Sequence, residues 1–210
     1  MPLSIISFKN VTFTYQKEAD TQIRSCSFEL NEGDRMAIKG ESGTGKTTLF
    51  RLIHGFEQPE SGAIYYKGDE LTIPVIKNLR KESAWLPQDL NLGKGQVREV
   101  LSYPFEFSAN HAKVTQSIEF ESTFKELGLE KELLDKDFSD LSTGQRQRAG
   151  IALCLLLDKP LMMLDEPTSA LDRASKQKVV ELLFDNSGRT ILSTSHDLFW
   201  IEQCNKVIEL

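Results

Sequence analysis

The run Gly40-Glu41-Ser42-Gly43-Thr44-Gly45-Lys46-Thr47 stands between a short apolar segment, residues 35–39, and a stretch of helical composition, residues 46–54. Its spacing fits G-x-x-x-x-G-K-[ST], the P-loop. Glycines let the backbone curl so that successive N–H groups converge on one anion. Lys46 brings a mobile positive charge for terminal phosphates, and the Thr47 hydroxyl can ligate Mg2+. The strand leading in and the helix leading out add a helix N-terminus, whose partial positive charge favours anions. Gly40, Ser42, Gly43, Thr44, Gly45, Lys46, Thr47 and Thr48 are therefore the candidate phosphate-binding residues. A strand, a glycine-rich turn and a helix in this order predict an α/β fold on a parallel sheet.

Further along, Leu161-Met162-Met163-Leu164-Asp165-Glu166 reads as a wholly apolar strand ending in two carboxylates. Such a strand suits a parallel sheet covered on both faces, and ligands gather at the carboxyl edge of such sheets. Asp165 is a candidate for Mg2+ through its water shell, and Glu166 for polarising an attacking water as general base. Residues 5–15 and 23–30, rich in β-branched and aromatic side chains, predict a hairpin across the polar stretch 16–22. Strands are also expected at 63–67, 83–87, 190–194 and 206–210, and a helix at 171–184. Residues 96–157 read as helical, with Val114, Ile118, Phe120, Phe124 and Leu127 recurring at three- and four-residue steps. The expected organisation is one α/β domain over 1–210. Its core lobe takes in about 1–87 and 158–210, and its helical lobe about 88–157.

Composition narrows the function classes. Of 210 residues, 27% are charged and the net charge is -6, so no basic field invites nucleic acid. Cys26, Cys154 and Cys204 lie far apart without a CxxC pair, which reads as reduced thiols serving as small buried hydrophobes. Residues 1–8 lack the pattern of a signal peptide. The longest apolar run, residues 151–157, falls far short of the ~20 residues that span a bilayer, so no direct membrane insertion is expected. His54 and His111 have no metal-ligand neighbours and read as surface or packing residues.

Leu141-Ser142-Thr143-Gly144-Gln145 resembles the signature motif of ABC ATPases, usually Leu-Ser-Gly-Gly-Gln. In the same order, Tyr15 resembles the family's adenine-stacking aromatic, and Gln88 in Trp85-Leu86-Pro87-Gln88 its Q-loop. Asp172 in Ser169-Ala170-Leu171-Asp172 is similar to its D-loop, and His196 to its H-loop switch. The resemblance runs from about residue 5 to residue 210. It implies a P-loop NTPase core with a mostly parallel sheet, an N-terminal antiparallel β-subdomain and an inserted helical subdomain. It also implies ATP as substrate with Mg2+ near Thr47, Gln88 and Asp165, and Glu166 and His196 as catalytic residues. A second copy of the chain would pair head to tail, so that Ser142, Gly144, Gln145 and Asp172 meet the partner's ATP. An integral membrane permease would be the driven partner, leaving the chain cytoplasmic and peripheral on the inner face of the membrane.

One departure is Thr143 where glycine is usual, which brings strain if that backbone needs a positive φ. Residues 97–105 and 205–210 resemble the small ATPase subunits of bacterial iron-export-type transporters. The alternative is a soluble ABC ATPase without a permease, similar to the iron–sulfur cluster assembly type. Nucleic-acid machines of this family carry a coiled-coil insertion or a second cassette, and the interval from Gln88 to Ser142 accommodates only a helical lobe.

Overall fold

The structure, a computed structural model, describes residues 3–15, 23–41, 43–110, 119–184 and 188–210. Its strands are β1 (Ser4–Phe13), β2 (Ile23–Asn31), β3 (Arg35–Lys39), β4 (Ser61–Tyr66), β5 (Asp69–Glu70), β6 (Ser83–Leu86), β7 (Leu161–Asp165), β8 (Thr190–Thr194) and β9 (Lys206–Glu209). Its helices are α1 (Lys46–Ile53), α2 (Ile73–Glu82), α3 (Val97–Ser102), α4 (Phe120–Glu126), α5 (Thr143–Leu157), α6 (Arg173–Leu183) and α7 (Leu198–Ile201). The strands form an antiparallel sheet in the order β2-β1-β4-β5 and a parallel sheet in the order β6-β7-β8-β3-β9.

The first two strands pair as the sequence predicts, with Phe8 opposite Phe28 and their rings stacked at 4.5 Å. The connecting stretch 16–22 lies outside the described residues, as do Ser42, His111, Val114 and Ile118.

The wholly apolar β7 is buried at every position, and its alternating side chains enter two separate cores. Met162 and Leu164, with Ile191 of β8, pack among α3, α4, α5 and α6. Leu161 and Met163, with Leu192, pack on α1 and the antiparallel sheet. This is the period-2 alternation of a strand buried on both faces. Helix α5 lies close to β6, because a Cβ at Gly150 would stand 2.6 Å from Leu86 Cδ1.

The stretch expected to be helical throughout, 96–157, is broken into α3, α4 and α5 with 3-10 turns at Tyr103–Glu106, Lys131–Asp135 and Phe138–Asp140. Pro104 enters the first of these turns, and Gly128, at φ 69°, follows α4. Phe120, Phe124 and Leu127 are buried on one side, as their spacing predicts. Helix α2 had no sequence expectation. Its apolar residues Ile73, Val75, Ile76 and Leu79 recur at three- and four-residue steps, yet only Leu79 is buried.

His54 proves to be a packing residue. It is 4% exposed, stacked at 4.7 Å on Trp85, and its imidazole is pushed down to about 4 by burial and by the Arg80 guanidinium. The folded state then binds fewer protons than the unfolded chain, whose histidine titrates near ~6.5. Stability is complete above that value and declines as pH falls toward 4. Urea unfolding should show His54→Phe losing about 2 kcal/mol less than the parent protein between about pH 7.5 and about pH 4.5.

Candidate functional site

Three adjacent strands of the parallel sheet end at one edge. The strand β3 runs into the P-loop, β7 ends on Asp165, and β8 ends on Thr194, which is paired with Ile38 on one side and Asp165 on the other. A cleft of about 640 Å³ opens there. It is lined by Tyr15, Gly40, Glu41, Gly43, Gly45, Lys46, Thr47, Thr48, Gln88, Asp165, Glu166, Ser169 and His196.

Gly43 and Gly45 sit at φ 87° and 93°, a left-handed backbone that glycine adopts without steric cost. Gly45 immediately precedes α1. Thr44 closes the loop on itself, its N–H and hydroxyl both donating to Glu41 O. The Lys46 ammonium donates to Gly40 O at 2.7 Å and Glu41 O at 2.9 Å, and lies 3.8 Å from Glu166 Oε1. Tyr15 stands at the rim, its hydroxyl 3.3 Å from Thr48 Oγ1 and its ring edge-on to Phe13.

Asp165 accepts from the Thr47 hydroxyl at 2.7 Å and the Thr194 hydroxyl at 2.5 Å. Burial raises its carboxyl above the usual range, and the two hydroxyl donors oppose that rise. Glu166 has a left-handed backbone, φ 51°, uncommon for a residue with a side chain. Its N–H donates to Thr194 O and Oγ1, and its carbonyl accepts from Gln147 Nε2 at 2.8 Å and Ser169 Oγ at 3.1 Å. The carboxylate then reaches 3.0 Å from His196 Nδ1.

Ser142, Gly144, Gln145 and Asp172 are not among the residues lining this cleft. Ser142 and Gln145 form a reciprocal capping box at the start of α5, side chain to backbone in both directions. Asp172 caps α6 by accepting from Ser175 N at 2.8 Å, and that backbone donor holds its carboxyl below the usual range. A Cβ on Gly144 would come 2.9 Å from Ala170 O, so α5 touches the loop after β7 here. Thr143 is the first residue of α5 and is not one of the positive-φ residues. Its departure from glycine therefore carries no backbone strain.

Gln147 and Thr194 had no place in the sequence reading. Gln147 is 4% exposed, and its spacing to Ile151 and Cys154 puts an amide on the buried face of α5. A polar side chain on an apolar helical stripe is the signal that finds it. Beside the site, Asp197 accepts from Thr168 and pairs with Lys176 at 2.7 Å.

The family model for ABC transporters matches residues 23–169. The chain belongs to the ABC transporter family. Its fold is that of the ATP-binding, ATP-hydrolysing ABC cassette. It is 32% identical to an ATP-dependent lipid A-core flippase of Vibrio parahaemolyticus, over 97% of this chain and 36% of that protein. The chain thus spans about a third of the length of the flippases it matches. It is 29% identical to the energy-coupling factor transporter ATP-binding protein EcfA1 of Oceanobacillus iheyensis, over 100% of this chain and 76% of that protein. Among solved structures, a bacterial Atm1-family ABC exporter with ATP bound superposes with a TM-score of 0.84 at 28% identity, over 99% of this chain and 37% of the exporter chain. A dimeric bacterial ABC transporter cassette does so at 0.83 and 25%, over 98% and 94% of the two chains.

In this ABC cassette Thr194 is the hinge between the two acidic residues, a donor to Asp165 and an acceptor for the Glu166 N–H. Thr194→Val keeps the volume and removes the hydroxyl, leaving one Asp165 oxygen buried without that donor. Urea unfolding should register a loss of about 1–3 kcal/mol.

Proposed function

We propose that this chain binds ATP in the cleft at the carboxyl edge of the parallel sheet and hydrolyses it to drive a membrane permease on a separate polypeptide. The observation that carries the hydrolytic reading is the convergence of the Glu166 carboxylate, the His196 imidazole and the Lys46 ammonium beside the P-loop. In this reading the P-loop N–H groups and Lys46 bind the β- and γ-phosphates. The Tyr15 ring supports adenine at the rim. Glu166 accepts a proton from the attacking water, and His196 orients that carboxylate and the γ-phosphate.

Thr47, Gln88 and Asp165 line the same cleft and offer hydroxyl, amide and carboxylate oxygens, the hard donors that Mg2+ takes alongside phosphate. Bound there, the cation would neutralise charge on the terminal phosphates. Asp165 and Thr47 share a hydrogen bond, so the two donors are already within reach of a common ligand.

Ser142, Gly144, Gln145 and Asp172 do not line the cleft of their own chain. The family's head-to-tail pairing gives them a role: in a two-fold dimer each signature segment faces the partner's nucleotide. Similarity to a dimeric ABC cassette supports this arrangement. ATP bound between two copies would favour the closed dimer, and hydrolysis would remove the contacts that distinguish closed from open. Likeness to the EcfA1 ATP-binding protein supports a separate permease. No helix among the described residues is long and apolar enough to cross a membrane. In this reading the permease would hold the chain peripherally on the cytoplasmic face.

Glu166→Gln keeps the shape of the side chain and cannot take a proton from water. Its ATPase rate should fall by about 10²–10⁴-fold, and with Mg-ATP it should accumulate as a dimer by light scattering while remaining monomeric without nucleotide. A Glu166→Gln protein that turns over ATP at the parent rate would remove the general-base assignment.

A further inference from the structure

The backbone of Glu166 carries a conformational burden that its neighbours must bear. Its φ of 51° is the left-handed region, which a side chain disfavours unless the surroundings determine it. From the sheet side, Thr194 fixes the Glu166 N–H through both its carbonyl and its hydroxyl. On the carbonyl side, Ser169 is a local donor, three residues along the same loop. The only side chain from another element that donates to this carbonyl among the described residues is Gln147, at 2.8 Å.

Gln147 stands on α5, five residues beyond Ser142. It is 4% exposed and lies on the buried stripe shared with Ile151 and Cys154, both nearly inaccessible. A buried amide on an apolar stripe is costly unless its hydrogen bond is made. Its partner here is the peptide carbonyl of Glu166, the residue that follows β7. The start of the same helix rests on the loop after β7 through Gly144 and Ala170 O. Two contacts, less than one and a half turns apart, therefore tie α5 to the segment that carries Glu166.

We propose that Gln147 is a positioning residue. Its Nε2–H locks the Glu166 carbonyl, and with it the left-handed backbone that aims the Glu166 carboxylate at His196 and the cleft. Gln147 is not among the residues lining the cleft; it acts through Glu166. Because Ser142 and Gln147 share one helix, a displacement of the Ser142 end reaches the Glu166 backbone of the same chain through this bond. The inference rests on the reading of Glu166 as the general base.

The test compares three variants in steady-state ATP hydrolysis, with ATP binding measured separately by a fluorescent nucleotide analogue. Gln147→Met keeps length and volume and removes the donor. Its kcat should fall about tenfold, as small misplacements of reacting groups cause, with KM and nucleotide affinity within about twofold of the parent. Gln147→His carries a ring N–H at nearly the same reach and should recover most of the loss. Gln147→Asn is polar but too short to span the bond, so it should behave like Gln147→Met. It also provides the measurement if the methionine variant fails to fold. Parent-like kcat in both Gln147→Met and Gln147→Asn would overturn the inference. So would a loss of equal size in all three variants, or one that appears as weakened nucleotide binding. Running Glu166→Gln alongside separates the two readings. If Glu166→Gln is inactive and Gln147→Met is not impaired, only the positioning role fails. If Glu166→Gln turns over like the parent, the general-base reading fails first.

Discussion

The parallel register of β3, β8 and β7 is the constraint on which the rest of the molecule depends. Thr194 lies opposite Ile38 in one strand and Asp165 in the other, so the P-loop and the acidic pair leave the sheet at the same height. A one-residue slip in either ladder would turn Asp165 from the cleft into a core, because strand side chains alternate faces. The slip is opposed on both sides of the sheet at once. Met162 and Leu164 belong to one core, and Leu161 and Met163 to the other. The same burial raises the Asp165 carboxyl and makes its two hydroxyl donors necessary.

From that register follows a division of labour between the two faces. The face toward the antiparallel sheet carries α1, and with it Lys46, Thr47 and the rim residue Tyr15. The opposite face carries α5, whose N-terminal turn is closed by its own capping box and whose buried amide reaches across to the Glu166 carbonyl. The cleft therefore draws Lys46 and Thr47 from one layer. A backbone hydrogen bond to its acidic residue comes from the other.

Several of the motif residues have a local structural task. Ser142 and Asp172 are helix caps whose side chains satisfy otherwise unpaired backbone N–H groups, and both are exposed. Capping fixes the geometry of these exposed helix starts. The Thr143 position illustrates how a motif can vary without strain: it begins a helix with ordinary backbone angles, and a Cβ there meets no conformational penalty.

The sequence alone determined the features written in local spacing. The P-loop and the apolar strand ending in Asp165-Glu166 were legible because each is one contiguous run of residues. The hairpin of β1 and β2 and the alternation of β7 were legible for the same reason. Tyr15, Gln88, Ser142 and His196 were instead singled out by their resemblance to the family's ordered motifs. Helix α2 was not read, although Ile73, Ile76 and Leu79 recur at three-residue steps, because that period is short and the helix buries only Leu79. The interruptions between 96 and 157 were not either, because an apolar recurrence looks alike in a long helix and in short helices joined by 3-10 turns. Only the tertiary structure decided that Thr194 bridges the two acidic residues and that Gln147 supports Glu166. Those contacts join residues 28, 29 and 19 positions apart in the chain. They depend on strand register and helix placement, which the burial of two separate cores decides and no short window of sequence contains.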